Sequence, residues 1–355
     1  MARTRSAIVV AVLLALAVPT GMAAATAPAP VARSTTAVAA ATTQVLASGL
    51  TIPWGIAAMS DGSALVTERD TGRIWQVKPG AAAKVVYTVT ETRPAGEGGL
   101  LGIALAPDFS RSRAFFVYYT TASDNRVARV VLGSSARPKP IVTGIPKGSI
   151  HNGGALVFKG SSLFIGTGDT GNRDLAQNTK SLGGKVLRVT TSGAAVRGNG
   201  WGRVLSIGHR NVQDITVDPQ GIRVWATELG QDTQDELNHL MPAANFGWPI
   251  CEGRCSHAGL RNPSATWTPA QASPSGITWA HTKAGDRFYV GALRGQKVWK
   301  FTVSPSTGAV SGMTPVLVNT YGRIRGVQGR GDGSLWIMTS NGGGSDRVIR
   351  ISPAP

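Results

Sequence analysis

Between Leu50 and Ile351 the apolar residues come in short runs of β-branched and aromatic type, separated by turns of Gly, Asp, Ser and Asn, and helical spacing is weak almost everywhere. Runs of this kind predict strands. One phrase repeats along the chain: a turn with Gly or Asp, a short strand, a polar turn, then a β-branched strand with a basic residue near its start. It reads DGSALVTERDTGRIWQV from Asp61, SRAFFVYYTTASDNRVARVVL from Ser112, and GSSLFIGTGDTG with GGKVLRV from Gly160. It returns as QGIRVWATELGQDTQDELNHL from Gln220, GDRFYVGALRGQKVWKFTV from Gly285 and DGSLWIMTSNGGGSDRVIRI from Asp332. The copies stand about 50 to 65 residues apart, the spacing of four-stranded units with variable loops. Six copies predict an all-β fold, a six-bladed β-propeller, with Gln44 to Leu50 supplying a strand that closes the ring against the last blade. Loops from several blades then meet at one mouth of the central channel, where a ligand is expected.

The pattern differs before residue 42. Arg3 and Arg5 precede the apolar run Ala7 to Val18, and Ala23-Ala24-Ala25 or Ala25-Thr26-Ala27 offers small-residue cleavage sites, so residues 1–27 read as a secretory signal peptide. Residues 28–41, rich in Ala, Pro and Thr, read as a flexible leader, and 42–355 as the propeller domain. The early run is short for a transmembrane helix, and no later one is long enough to span a bilayer. An exported protein without a membrane span is expected. The only cysteines, Cys251 and Cys255, predict a disulfide across a small loop. The formal net charge of +17 suits an anionic partner, but its Lys and Arg are scattered and form no nucleic-acid-binding signature, which argues against DNA or RNA.

Candidate chemistry centres on Ile150 to Val189. Ala155 to Phe158 and Ser162 to Ile165 are β-type runs joined by Lys159-Gly160-Ser161, a predicted hairpin that returns Asp169 to the end of the blade where His151 stands. A buried Asp that accepts from one imidazole nitrogen leaves the other as a base; the bland reading is that both residues cap strands. Glu97 lies in Gly96-Glu97-Gly98-Gly99-Leu100-Leu101-Gly102, a run that either lets backbone approach a ligand or makes a tight turn before a strand. Arg210 and Asn211, in Gly208-His209-Arg210-Asn211, put two donors side by side. Arg323 and Arg325 alternate onto one strand face, where they repel unless an anion lies between them or the strand is a solvated edge. With Arg210 and Arg294 they suit a ligand bearing several carboxylates. Asp232, Asp235 and Glu236 form a carboxylate group that a hard cation such as Ca²⁺ would select, or a charged surface loop.

Several motifs occur in an order that resembles a known family. They are Pro53-Trp54-Gly55, Glu97-Gly98-Gly99-Leu100-Leu101-Gly102 with Pro107-Asp108-Phe109, His151-Asn152-Gly153-Gly154, and Gly168-Asp169 with Gly184-Lys185-Val186-Leu187-Arg188. Gly208-His209-Arg210-Asn211 follows, then Asp235-Glu236-Leu237 with Asn245-Phe246-Gly247-Trp248-Pro249. The chain resembles, from about Leu50 to Ile351, the soluble glucose/sorbosone dehydrogenases that depend on pyrroloquinoline quinone (PQQ), and most of all their aldose sugar dehydrogenase branch. The resemblance implies a six-bladed propeller with PQQ over the channel mouth and Ca²⁺ on the quinone. It implies His151 as the general base and Asp169 as its partner, with Arg210, Asn211, Arg323 and Arg325 facing the cofactor and Arg294 where members often have Lys. Glu236 and the Phe246 carbonyl match a second, structural calcium site, and Glu97 stands where other members place Gln. The implied substrate is an aldose sugar, with an external electron acceptor; the oligomeric state is not implied. Calcium-dependent lactonase chemistry and non-catalytic glycan or protein binding are the competing readings, and the Arg-rich set argues against the lactonase.

Overall fold

A computed structural model describes residues 41–355, with Ala11 alone before them; the signal peptide and leader otherwise lie outside the described residues. Six antiparallel sheets of four strands each form the six-bladed β-propeller, and the only helices among the described residues are Phe109–Ser112 and Asp174–Gln177. The predicted closure is present. Thr42–Leu50 pairs antiparallel with Asp346–Ser352 and completes the last blade from the opposite end of the chain.

Each blade packs on both faces against its neighbours, so central strands read as continuous apolar runs and not as alternation. Ala114–Thr120, sequence AFFVYYT, is buried along its whole length. Leu101, Tyr118, Leu156, Ile165 and Leu187 join one apolar cluster between successive blades, and similar clusters recur around the ring. The innermost strands are Pro53–Ala58, Leu100–Leu105, Leu156–Lys159, Val212–Val217, Pro274–Thr282 and Ile324–Gly329. All six line an axial channel of about 320 Å³. So close an approach needs glycine. A Cβ on Gly102 would stand 2.1 Å from the Gly154 carbonyl, and one on Gly99 2.3 Å from that of Arg69, so the Gly96–Gly102 run brings neighbouring segments together.

The hairpin forms with a two-residue turn. Leu156–Lys159 pairs with Ser162–Gly166, Lys159 stands opposite Ser162, and Gly160 takes a φ of +56°. Among the described residues no helix is long and apolar enough to cross a membrane.

Candidate active site

The hairpin sets His151 just before its first strand and Asp169 just after its second, and His151 Nδ1 lies 2.7 Å from Asp169 Oδ1. Gly168 permits this closeness, since a Cβ there would stand 1.9 Å from the His151 carbonyl. His151 itself has a φ of +52°, uncommon for a residue with a side chain. Glu97 holds it there: Glu97 Oε2 accepts the His151 backbone N–H at 2.7 Å. Asp169 is buried, with Oδ1 also accepting the Gly171 N–H at 2.8 Å and Oδ2 the Trp248 indole N–H at 2.8 Å. Burial alone would raise its proton affinity, yet the bonds from His151, Gly171 and Trp248 and the nearby imidazole together hold it below the ordinary carboxylate range. Among the described residues His151 Nε2 has no hydrogen-bond partner, and the ring keeps 12% of its surface exposed. The Nδ1 contact with Asp169 thus leaves Nε2 as the free nitrogen of the ring.

A cavity of about 240 Å³ opens at this end of the channel. Glu97, Asn211, Arg323 and Arg325 line it; Arg294 does not, being exposed outside it. Arg325 donates through Nη1 to Gln213 Oε1 at 2.8 Å and Ser275 Oγ at 3.2 Å and lies 5.9 Å from the Trp54 ring, while its Nε is buried without a partner. Burial, then the positive charges of Arg69 and Arg323, lowers its pKa to about 10. Among the described residues no carboxylate forms an ion pair with Arg323 or Arg325. A guanidinium with a buried, unpartnered nitrogen and no counter-ion, as in Arg325, is costly unless an anion completes it, while Arg323 lines the cavity as an exposed cation. The donor set therefore fits a ligand with several carboxylates, and PQQ is one. Arg210 sits beside the cavity, donating through Nη1 to the Leu229 carbonyl at 3.2 Å and lying 5.4 Å from the Trp248 ring. Its Nε and the Asn211 Nδ2 are also buried and unpartnered.

Sequence reasoning missed Trp54, Arg69 and Gln213 in the lining and Trp248 behind Asp169. A signal for Arg69 exists. Arg69, Leu229 and Leu293 each follow the second strand of their blade, after Glu68, Glu228 and Ala292, and all three face the cavity.

The three carboxylates grouped as a cation site do not converge. Asp232 is exposed, and strand alternation turns Asp235 and Glu236 to opposite faces: Asp235 accepts the N–H groups of Gly230 and Ser273, at 3.0 and 2.9 Å. Glu236 meets Glu228 instead, through Asn238 Nδ2, which donates to Glu236 Oε2 at 2.8 Å and Glu228 Oε2 at 3.3 Å. Glu228 also takes His209 Nδ1 at 2.8 Å, and His209 stacks on Phe246 at 4.7 Å. Burial and then the Glu228 charge push the Glu236 carboxyl well above its usual range, and Asn238 Oδ1 is buried without a partner. Paired carboxylates and an orphaned amide oxygen suit a hard cation. Among the described residues no three His, Cys, Asp or Glu side chains share one point, so such a cation would rely on amide and carbonyl oxygens as well.

The predicted disulfide Cys251–Cys255 is formed. Its loop carries Glu252, whose Oε1 accepts the backbone N–H groups of Gln231, Asp232, Thr233 and Gln234 at 2.6 to 3.1 Å, and Gly253, which donates to Glu236 at 2.8 Å.

The family model for glucose/sorbosone dehydrogenase matches residues 50–350. The aldose sugar dehydrogenase YliI of Escherichia coli is 27% identical, over 87% of this chain and 92% of its own. The PQQ-bound aldose sugar dehydrogenase of Streptomyces coelicolor superposes with a TM-score of 0.79 at 38% identity, over 88% of this chain and 98% of that one. The apo form of the soluble E. coli aldose sugar dehydrogenase gives 0.80 at 26% identity, over 88% and 99%.

Proposed function

The chain belongs to the glucose/sorbosone dehydrogenase family, and from that premise we propose that it oxidises the anomeric hydroxyl of an aldose to the lactone, using PQQ. The observation that carries this reading is the cavity itself, with two arginines that lack counter-ions beside a His151–Asp169 pair whose Nε2 is free. Arg323 and Arg325 hold the carboxylates of the cofactor, and Asn211 and Glu97 border it. When bound, PQQ supplies a quinone that accepts the hydride leaving C1. His151 Nε2 takes the proton of the C1 hydroxyl, so the C1–O bond becomes a carbonyl as the hydride departs. Asp169 holds the Nδ1–H tautomer that leaves Nε2 basic, and offsets the positive charge that forms on the ring. The two electrons pass on to an external acceptor. A dye-reduction assay with aldoses, run with and without added PQQ, tests the reading; reduction that does not depend on PQQ, or lactone hydrolysis in its place, rules it out.

Glu236, Asn238 Oδ1 and the Phe246 carbonyl are the oxygens we assign to a structural Ca²⁺. A cation bound only by the folded state raises stability by mass action, about 2.7 kcal/mol at a hundredfold excess over its dissociation constant. Calcium is therefore expected to raise the melting temperature without PQQ, and Glu236→Gln to abolish the shift. A melting temperature indifferent to chelation and to added Ca²⁺ removes the site. Export of the mature chain after cleavage between Ala25 and Ala27 completes the proposal.

A further inference from the structure

The functional reading gives Trp248 no part, yet its indole is placed where the proton chemistry is set. Four of the chain's buried indoles, those of Trp75, Trp225, Trp267 and Trp336, have a buried N–H with no acceptor, and Trp279 and Trp299 donate to backbone carbonyls. Core indoles in this fold thus go unpartnered or use the main chain. Trp248 alone among the described tryptophans donates to a carboxylate, 2.8 Å from Asp169 Oδ2.

Its pose is fixed from several sides. Its backbone N–H donates to the Gly208 carbonyl at 3.0 Å, and its own carbonyl accepts Gln177 Nε2 at 2.6 Å. Gln177 is clasped by Asn245 in a reciprocal amide pair, and Lys185 Nζ holds the end of the short helix that carries it, donating to the carbonyls of Ala176 and Gly183 at 3.0 and 2.7 Å. Arg173 and Arg210 lie 5.2 and 5.4 Å from the indole ring. Resting on the proposed role of His151, we infer that Trp248 is a positioning residue for the general base: its N–H locks the rotation of the Asp169 carboxylate, and that carboxylate locks the tautomer of His151.

The reason lies in the count of donors. Oδ1 takes His151 and Gly171, and Oδ2 takes Trp248 alone. Without the indole N–H, a buried carboxylate oxygen loses its bond, and Arg210, whose charge interacts with Asp169, lies over the same ring. Asp169 then turns toward Arg210, and His151 is released to exchange tautomers.

Trp248→Phe removes the N–H and keeps a ring for the two arginines. Turnover with PQQ and aldose is expected to fall about ten- to a hundredfold, the effect of one hydrogen bond to a charged group, with KM and PQQ affinity within a factor of two. Trp248→Phe added to Asp169→Asn should cost almost nothing more. Nitrogen-15 spectra of the apo-protein, with the His151 signal assigned through His151→Gln, give a readout independent of turnover: one Nδ1–H tautomer in the wild type, a mixture in Trp248→Phe. If the phenylalanine leaves a gap that unfolds the chain, benzothienylalanine at 248 keeps the bicyclic shape and removes only the N–H, with the same expected result. An unchanged tautomer and unchanged turnover in a folded variant overturn the inference. Absence of PQQ-dependent activity in the wild type would instead sink the functional reading, and the tautomer ratio would still decide the role of Trp248.

Discussion

Replacing His151 is expected to lower turnover of the PQQ-loaded protein by about 10²–10⁴-fold, the usual size of a lost general base, while PQQ affinity stays near its wild-type value. The separation follows from geometry. Asn152 and Gly153 line the cavity while His151 does not, and the bond from Glu97 reaches the His151 backbone, which any residue retains. The choice of substitution matters because the position has a φ of +52°. Alanine there adds backbone strain to the loss of the imidazole, whereas asparagine tolerates left-handed backbone and isolates the chemistry. Both variants should therefore be slow, and His151→Asn should keep the wild-type melting temperature more closely. Asp169→Asn should be slow as well, and the double variant with His151→Asn should cost far less than the product of the two, because the residues act as a unit. Wild-type turnover in a folded, PQQ-binding His151→Asn protein would remove the base from the mechanism.

The architecture was legible because a propeller writes its repeat into the chain. The six strand phrases and the Gln44 to Leu50 segment translate directly into blades and closure, since each blade must solve the same packing problem. The His151–Asp169 contact was legible for a local reason: one hairpin joins them, so their distance depends on a two-residue turn and not on the rest of the ring. What lay beyond reach is what the ring brings together from different blades. Trp248 reaches Asp169 across 79 positions, and Gln213 reaches Arg325 across 112. Adjacency in sequence also misled. Asp235 and Glu236 look like one acidic cluster, but strand alternation gives each a different set of partners, and the true neighbour of Glu236 is Glu228 on the adjacent strand. Arg294 falls one position beyond Leu293, the residue that follows the second strand of its blade and lines the cavity.

Arg325 should show opposite signs in the empty and the loaded protein. Its guanidinium stands near Arg69 and Arg323 with no carboxylate paired to it, and its pKa is lowered to about 10, which means that the folded chain disfavours the charge it carries. Replacing it with methionine, of similar length and without charge, removes that cost from the apo-protein, so the apo melting temperature should hold or rise. On the proposed cofactor pose the same change deletes a charge-assisted contact to a carboxylate, about 1.5–3 kcal/mol, and should weaken PQQ binding by roughly 10- to 150-fold. The rise in melting temperature on adding PQQ should shrink accordingly, and saturating PQQ should restore most of the turnover, since the proposed role of Arg325 is to hold the cofactor and not the reacting hydroxyl. Calorimetric titration of Arg325→Met alongside melting of both forms reads all of these. Unchanged PQQ affinity would show that the cofactor does not sit on this arginine, and an apo-protein destabilised as much as the loaded one would make Arg325 a structural residue, tied to the fold by Gln213 and Ser275.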